Sequence, residues 1–111
     1  MIISFQMTAD AIRDGTKTVT RRFWKLGHAA KFKREMIVDA WSAGPHRGGE
    51  FIRQIRLTRD PYLEPLDAIS EEHFEREGGT RYWPNIAEFV EKLSQGDCIP
   101  YVIEFEFVDA D

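Results

Sequence analysis

The last stretch of the chain carries its cleanest hydrophobic pattern. Over residues 99–108 (IPYVIEFEFV), Val102, Glu104 and Glu106 fall on one side and Ile103, Phe105 and Phe107 on the other. That is the period-2 signature of a half-buried strand, placed to close a sheet or barrel. Four earlier runs also read as strands. Residues 2–6 (IISFQ) open the chain, and residues 17–23 (KTVTRRF) are rich in β-branched side chains. Residues 36–42 (MIVDAWS) form an apolar run ended by Gly44-Pro45, and Phe51–Leu57 alternates imperfectly around Arg53 and Arg56.

Helical signals sit between these runs. Thr8 is placed to cap a short helix over residues 9–14, which Gly15 closes as a left-handed residue. Ser70 precedes Glu71 and Glu72, acids favoured in a first helical turn, and Gly78-Gly79 stops that helix. Asn85 followed by Glu88 makes a capping-box-like start. Ile86, Phe89, Val90 and Leu93 then repeat at i, i+3, i+4, i+7, the spacing of a buried helical face, before Gly96. The whole predicts an α+β fold: a mainly antiparallel, curled sheet or barrel of about five or six strands with two or three short helices, in one domain over residues 1–111.

Composition fits a self-sufficient domain. The 111 residues are 42% hydrophobic and 31% charged, the balance of a globular chain at a length that buries a core without staples. No apolar run approaches the ~18 residues of a membrane span, and no basic-then-apolar leader is visible. The expectation is a cytoplasmic protein without membrane contact. Cys98 is the single cysteine, which leaves no intrachain disulfide or cysteine metal site; such a residue is most often buried as a small apolar side chain. His28, His46 and His73 show no close ligand spacing, so neither metal nor cofactor is expected.

Charge changes the picture more than composition does. The net charge is −4, yet residues 13–34 hold eight Lys/Arg against Asp14 alone, while residues 60–111 hold fourteen acids against Arg76, Arg81 and Lys92. A basic stretch beside an acidic half fits a local anionic or polar ligand better than a long nucleic-acid track. Solvated faces of strands and helices would carry the same charges.

Within that stretch lies residues 15–22 (GTKTVTRR). A helix-ending glycine is followed by Lys17, Thr20 and Arg21-Arg22, so an ammonium, a hydroxyl and a guanidinium crowd the entrance of a strand. In a regular strand Lys17 and Thr20 point to opposite faces. They converge only if the chain at Lys17 and Thr18 is still a turn or bulge, which the preceding glycine makes plausible. By pattern alone, the same residues also describe an ordinary edge strand with solvated cations.

The segment resembles the G-x-K-x-x-x-x-R signature of the ASCH family, small PUA-like β-barrels, on Gly15, Lys17 and Arg22. More narrowly, K-T-x-T-x-R, then H-x-x-x-E from His73 to Glu77, then YVIEF is similar to the bacterial N4-acetylcytidine amidohydrolases of that family. The resemblance implies catalytic roles for Lys17, Thr20 and Glu77. The chain departs from the family at Arg34-Glu35, where Gly-Asp is common, and Trp24, His28, Trp83 and residues 44–49 are local to it.

The chemistry so implied is reasonable on its own terms. A lysine in a confined, partly desolvated pocket can act as a base, and a threonine hydroxyl beside it can serve as nucleophile. Glu77 falls near the end of its helix, where the dipole disfavours a carboxylate unless Lys17 pairs with it; there it could trade protons with Lys17 and a leaving nitrogen. An exposed helix-end glutamate is the simpler account of the same position. Attack by Thr20 and direct attack by water both remain open. Gly15, Arg21, Arg22 and Trp24 are the expected substrate contacts, with Arg22 holding the base carbonyl or ordering the strand entrance. Neither Lys17 nor Glu77 is expected in the core. Trp24, Trp41 and Trp83 are candidates for stacking on a base, or for packing.

Two functions follow. One is an amidohydrolase of N4-acylated cytosine or cytidine, taking a small nucleoside or nucleobase as a monomer or weak dimer. The other is a non-catalytic RNA- or nucleotide-binding module using the same cleft. The acidic net charge leans toward the enzyme.

Overall fold

The alternating final run folds as β6 (Tyr101–Phe107), and the sheet is organised around it. In the computed structural model, which describes residues 1–108, the other strands are β1 (Ile2–Ser4), β2 (Val19–Arg22), β3 (Ile37–Trp41), β4 (Phe51–Leu57) and β5 (Tyr62–Leu63). The helices are α1 (Ala9–Arg13), α2 (Leu26–Ala29), α3 (Glu71–Glu77) and α4 (Ile86–Leu93). Strand order is β1-β3-β4-β6-β2, with β5 also on β6. Only the β1–β3 pair is parallel among the described residues.

β6 is shared along its length. Residues 105–107 pair with β4, and residues 101–104 pair with β2, Thr20 lying opposite Ile103. β5 adds Tyr62 opposite Val102. The sheet curls into a half-barrel with helices packed on it, a mixed α+β architecture.

Two apolar cores result. The larger lies against the sheet and includes Phe5, Phe32, Ile55, Ile103 and Phe105; the smaller joins Leu66, Ile69, Phe74, Trp83 and Phe89 among the helices. α3 packs on β2, so the second face of β2 and β6 is covered as well. This is why Val19 and Val102 are fully buried although the alternation of β6 suggests one wet face. Only Glu106 keeps the exposed character that the pattern implies.

The caps behave unequally. Ser70 accepts from the His73 amide, and Asn85 Oδ1 accepts from the Glu88 amide at 2.9 Å. Thr8 precedes α1 but makes no side-chain cap bond; its carbonyl, instead, receives the Ala11 and Ile12 amides. Replacing Asn85 with alanine should therefore lower stability by about 1 kcal/mol and Tm by roughly 4 °C. An unchanged Tm in calorimetry would mean that water caps α4 equally well.

The structure adds detail to the sequence reading and corrects it at Cys98. The described residues hold four α-helices, of which α2 is one turn without a side-chain cap that forms only where Ala29 and Phe32 pack into the sheet core. β5 has two residues and is defined by its pairing with β6 rather than by any pattern of its own. Cys98 is exposed, not buried. It lies past Gly96, which takes a left-handed φ of +57°, in a turn where its amide bonds the Gln95 carbonyl. Among the described residues no helix is long and apolar enough to cross a membrane.

Candidate functional site

The site begins with the way α1 ends. Gly15 turns the chain at φ +81°, and the amides of Thr16 and Lys17 both fold back onto the Ala11 carbonyl, at 3.0 and 3.1 Å. Strand geometry starts only at Val19. Lys17 is thus freed from the alternation that would set it on the face away from Thr20. The strand entrance is clamped to α3 by two bonds. The Thr18 amide donates to the Arg76 carbonyl at 2.9 Å, and Arg76 Nε donates to Thr18 Oγ1 at 2.8 Å.

That clamp sets Lys17 against the last turn of α3. Its Nζ donates to the Glu77 carbonyl at 2.7 Å and to Glu77 Oε1 at 2.9 Å. The first bond satisfies a helix-terminal carbonyl with a cation, where the dipole favours one. Arg21 Nη1 donates to Glu77 Oε2 at 2.8 Å. Lys17, Arg21 and Glu77 are 2%, 5% and 2% exposed, so three charges are buried together. Burial pulls the Lys17 ammonium below its ordinary 10.5; Glu77 opposes this, and Arg22 and Arg21 add to it. Lysine is therefore brought toward the neutral form, 2.9 Å from a carboxylate that can exchange its proton.

A second polar layer backs the first. Arg21 Nη2 donates to Glu64 Oε1 at 2.8 Å and to His73 Nδ1 at 3.1 Å. A guanidinium is a donor only, so Nδ1 is the acceptor and the imidazole proton sits on Nε2, which faces Glu104 Oε2 at 3.9 Å. Glu104 also receives Tyr62 Oη at 2.6 Å and Arg76 Nη1 at 3.2 Å. Burial works to raise the Glu104 carboxyl, but the Tyr62 and Arg76 contacts outweigh it and hold it below its ordinary value. The Tyr62 phenol is pushed up to about 12 by burial and by Glu104.

Lys17, Thr20, Arg21, Arg22 and Glu77 all line one cavity of about 610 Å³, within the range of small-molecule sites. Its walls are Phe5 of the sheet core and Trp83 of the helical core, so it lies at the seam between the two. The loop from β1 to α1 and residues 92–95, at and just past the end of α4, complete the rim. Thr20 Oγ1 accepts from Arg22 Nε at 3.1 Å, and the Arg22 guanidinium lies 4.9 Å from the centre of the Phe5 ring. Burial draws Arg22 down to about 10, still charged at neutral pH. Among the described residues no hydrogen bond joins Lys17 to Thr20.

Other expected contacts lie elsewhere. Gly15 is not in the lining; a Cβ there would meet Arg53 and Phe107, so its part is the turn. Trp24 stacks on Phe32 with centroids 4.5 Å apart, against the sheet core, and Trp41 meets Phe51. Trp83 is the tryptophan that reaches the cavity. Arg21 reaches it too, yet both its terminal nitrogens are engaged by protein groups. The expectation that Lys17 and Glu77 stand outside the core is overturned by their burial.

Sequence reasoning missed Glu64, Tyr62 and Glu104, whose positions depend on the two-residue β5 and on the sharing of β6. It also missed Lys92 and Gln95 at the rim, which carry no motif. Among the described residues no three His, Cys, Asp or Glu side chains gather so as to hold a metal ion. No known family model, curated protein or solved structure matches the chain.

Proposed function

We propose that the chain is an amide hydrolase that removes the acyl group from N4-acylated cytosine or cytidine, working on the free nucleoside or base as a cytoplasmic monomer or weak dimer without a cofactor. One observation carries the reading: a buried lysine–carboxylate pair and a threonine hydroxyl open onto the same cavity. Its motif resemblance to ASCH amidohydrolases supplies the substrate class.

Amide cleavage at N4 needs an oxygen to add to the acyl carbon and a proton to leave with the nitrogen. Thr20 supplies the oxygen. The Lys17–Glu77 pair takes the hydroxyl proton and returns one to N4 as the C–N bond breaks, leaving cytidine and an acyl ester of Thr20 that water then hydrolyses to the carboxylic acid. Phe5 and Trp83 are apolar walls for a planar base.

Incubation with N4-acetylcytidine, followed by chromatography for cytidine, tests the reading; absence of cytidine at high enzyme concentration would sink it. Because burial lowers Lys17, kcat/KM should rise with pH through an apparent pKa below 10.5, belonging to the Lys17–Glu77 pair as a unit. The protonated lysine is the inactive form, so activity falls on the acid side. A profile flat from pH 5 to 10 would exclude a base in this pair.

The competing RNA-module reading draws on the exposed Lys25, Lys31, Lys33 and Arg34. It predicts tight single-stranded RNA binding that weakens steeply with salt, without hydrolysis.

A further inference from the structure

The cavity is lined by four cations, Lys17, Arg21, Arg22 and Lys92, and one carboxylate, Glu77. Glu77 is shared by Lys17 and Arg21, and Arg21 has Glu64 besides. Arg22 is different. Its Nε is bonded to Thr20 Oγ1 and its guanidinium rests on the Phe5 ring. Its terminal nitrogens, however, have no acceptor among the described residues, and no carboxylate there forms a salt bridge with it, Glu77 reaching it only through the longer-range field. In a chain of net charge −4, a half-buried guanidinium held at one edge and unpaired at the other is a prepared anion site.

We infer that Arg22 stabilises the negative charge that develops on the acyl oxygen during hydrolysis, which makes it a catalytic residue and not a grip on the base carbonyl. This deepens the amidohydrolase reading and rests on it. The reason is adjacency. When Thr20 Oγ adds to the acyl carbon, the carbonyl electron pair moves onto its oxygen, and that oxyanion and Oγ are then substituents of one carbon. A guanidinium bonded to Oγ through Nε presents its neighbouring N–H groups beside the second oxygen, the fork geometry that suits paired oxygens. The oxyanion then collapses, the C–N4 bond breaks, and N4 takes its proton from the Lys17–Glu77 pair. Addition of water to the Thr20 ester puts a second oxyanion in the same place. Arg22 serves both steps without giving up a proton.

The experiment compares the wild type with Arg22→Gln and Arg22→Lys on N4-acetylcytidine. It also measures calorimetric binding of cytidine and of a cytidine carrying a methylphosphonyl group on N4, a tetrahedral anion at the reacting centre. The Arg22→Gln variant should lose about 100-fold or more in kcat with KM changed less than about threefold, and Arg22→Lys should recover part of the loss. The phosphonyl compound should bind the wild type at least about tenfold tighter than cytidine, a preference that Arg22→Gln abolishes while cytidine binding persists. Retention of kcat by Arg22→Gln, or a loss confined to KM, overturns the inference while leaving the hydrolase standing. A wild type without turnover sinks the hydrolase reading. The binding arm then separates the two failures: an Arg22-dependent preference for the tetrahedral anion keeps Arg22 as an anion site although its role in hydrolysis falls with the hydrolase reading, and equal affinities overturn the anion site as well. Arg22→Lys keeps the cation on Phe5 and covers the case in which Arg22→Gln fails to fold.

Discussion

Glu77→Ala is expected to abolish turnover, by about 10²–10⁴-fold or more, and to destabilise the protein by about 3–5 kcal/mol. The two losses share one cause. Glu77 supplies the counter-charge for Lys17 and one of the two carboxylates on Arg21, and all three side chains are buried. Removing it strands an ammonium away from water. The double variant Lys17→Met/Glu77→Leu should recover most of the stability, because an apolar pair replaces an ionic one and Arg21 keeps Glu64 and His73. It should recover no activity. Denaturant titration and the cytidine assay on the same samples separate the two effects. A Glu77→Ala protein with wild-type stability would mean that water reaches Lys17 freely; one with wild-type turnover would remove Glu77 from the chemistry.

Thr20→Val is the second large effect. Valine matches threonine in shape, so a site 3% exposed keeps its packing and loses only the hydroxyl that meets Arg22 Nε. With Thr20 as nucleophile, kcat should fall at least about 10³-fold, and the acyl-protein mass seen in a rapid quench of the wild type should vanish. Direct attack by water would leave kcat within about tenfold and show no acylated protein at any time.

What was legible in the sequence divides along physical lines. The alternation of Ile103 and Phe105 and the caps at Ser70 and Asn85 are local signals, and they place β6, α3 and α4 within a residue or two. Gly15 announces the turn that releases Lys17 from strand register, because φ of +81° is cheap only for glycine. Burial of the charges was not legible. Lys17 and Glu77 are 60 residues apart, and as single residues each reads as a solvated surface group; only the pairing, made by the clamp of Thr18 on Arg76, makes burial tolerable. Trp24 misled for the complementary reason. An aromatic two residues beyond the motif looks like a stacking platform, but its ring is spent on Phe32.

The sharing of β6 bears on the order in which the protein can form. Among the described residues β2 has one strand neighbour, and residues 19–22 find their register only on residues 101–104. A nascent chain that has emerged as far as Glu77 already contains Lys17, Thr20, Arg21 and Glu77, yet β2 still lacks its strand partner and has only the Thr18–Arg76 clamp to α3 to hold it. Pairing of such high sequence separation is slow to nucleate, since the loop must close before any contact rewards it. The cavity is then among the last parts of the molecule to appear, and competence for chemistry arrives together with the final strand.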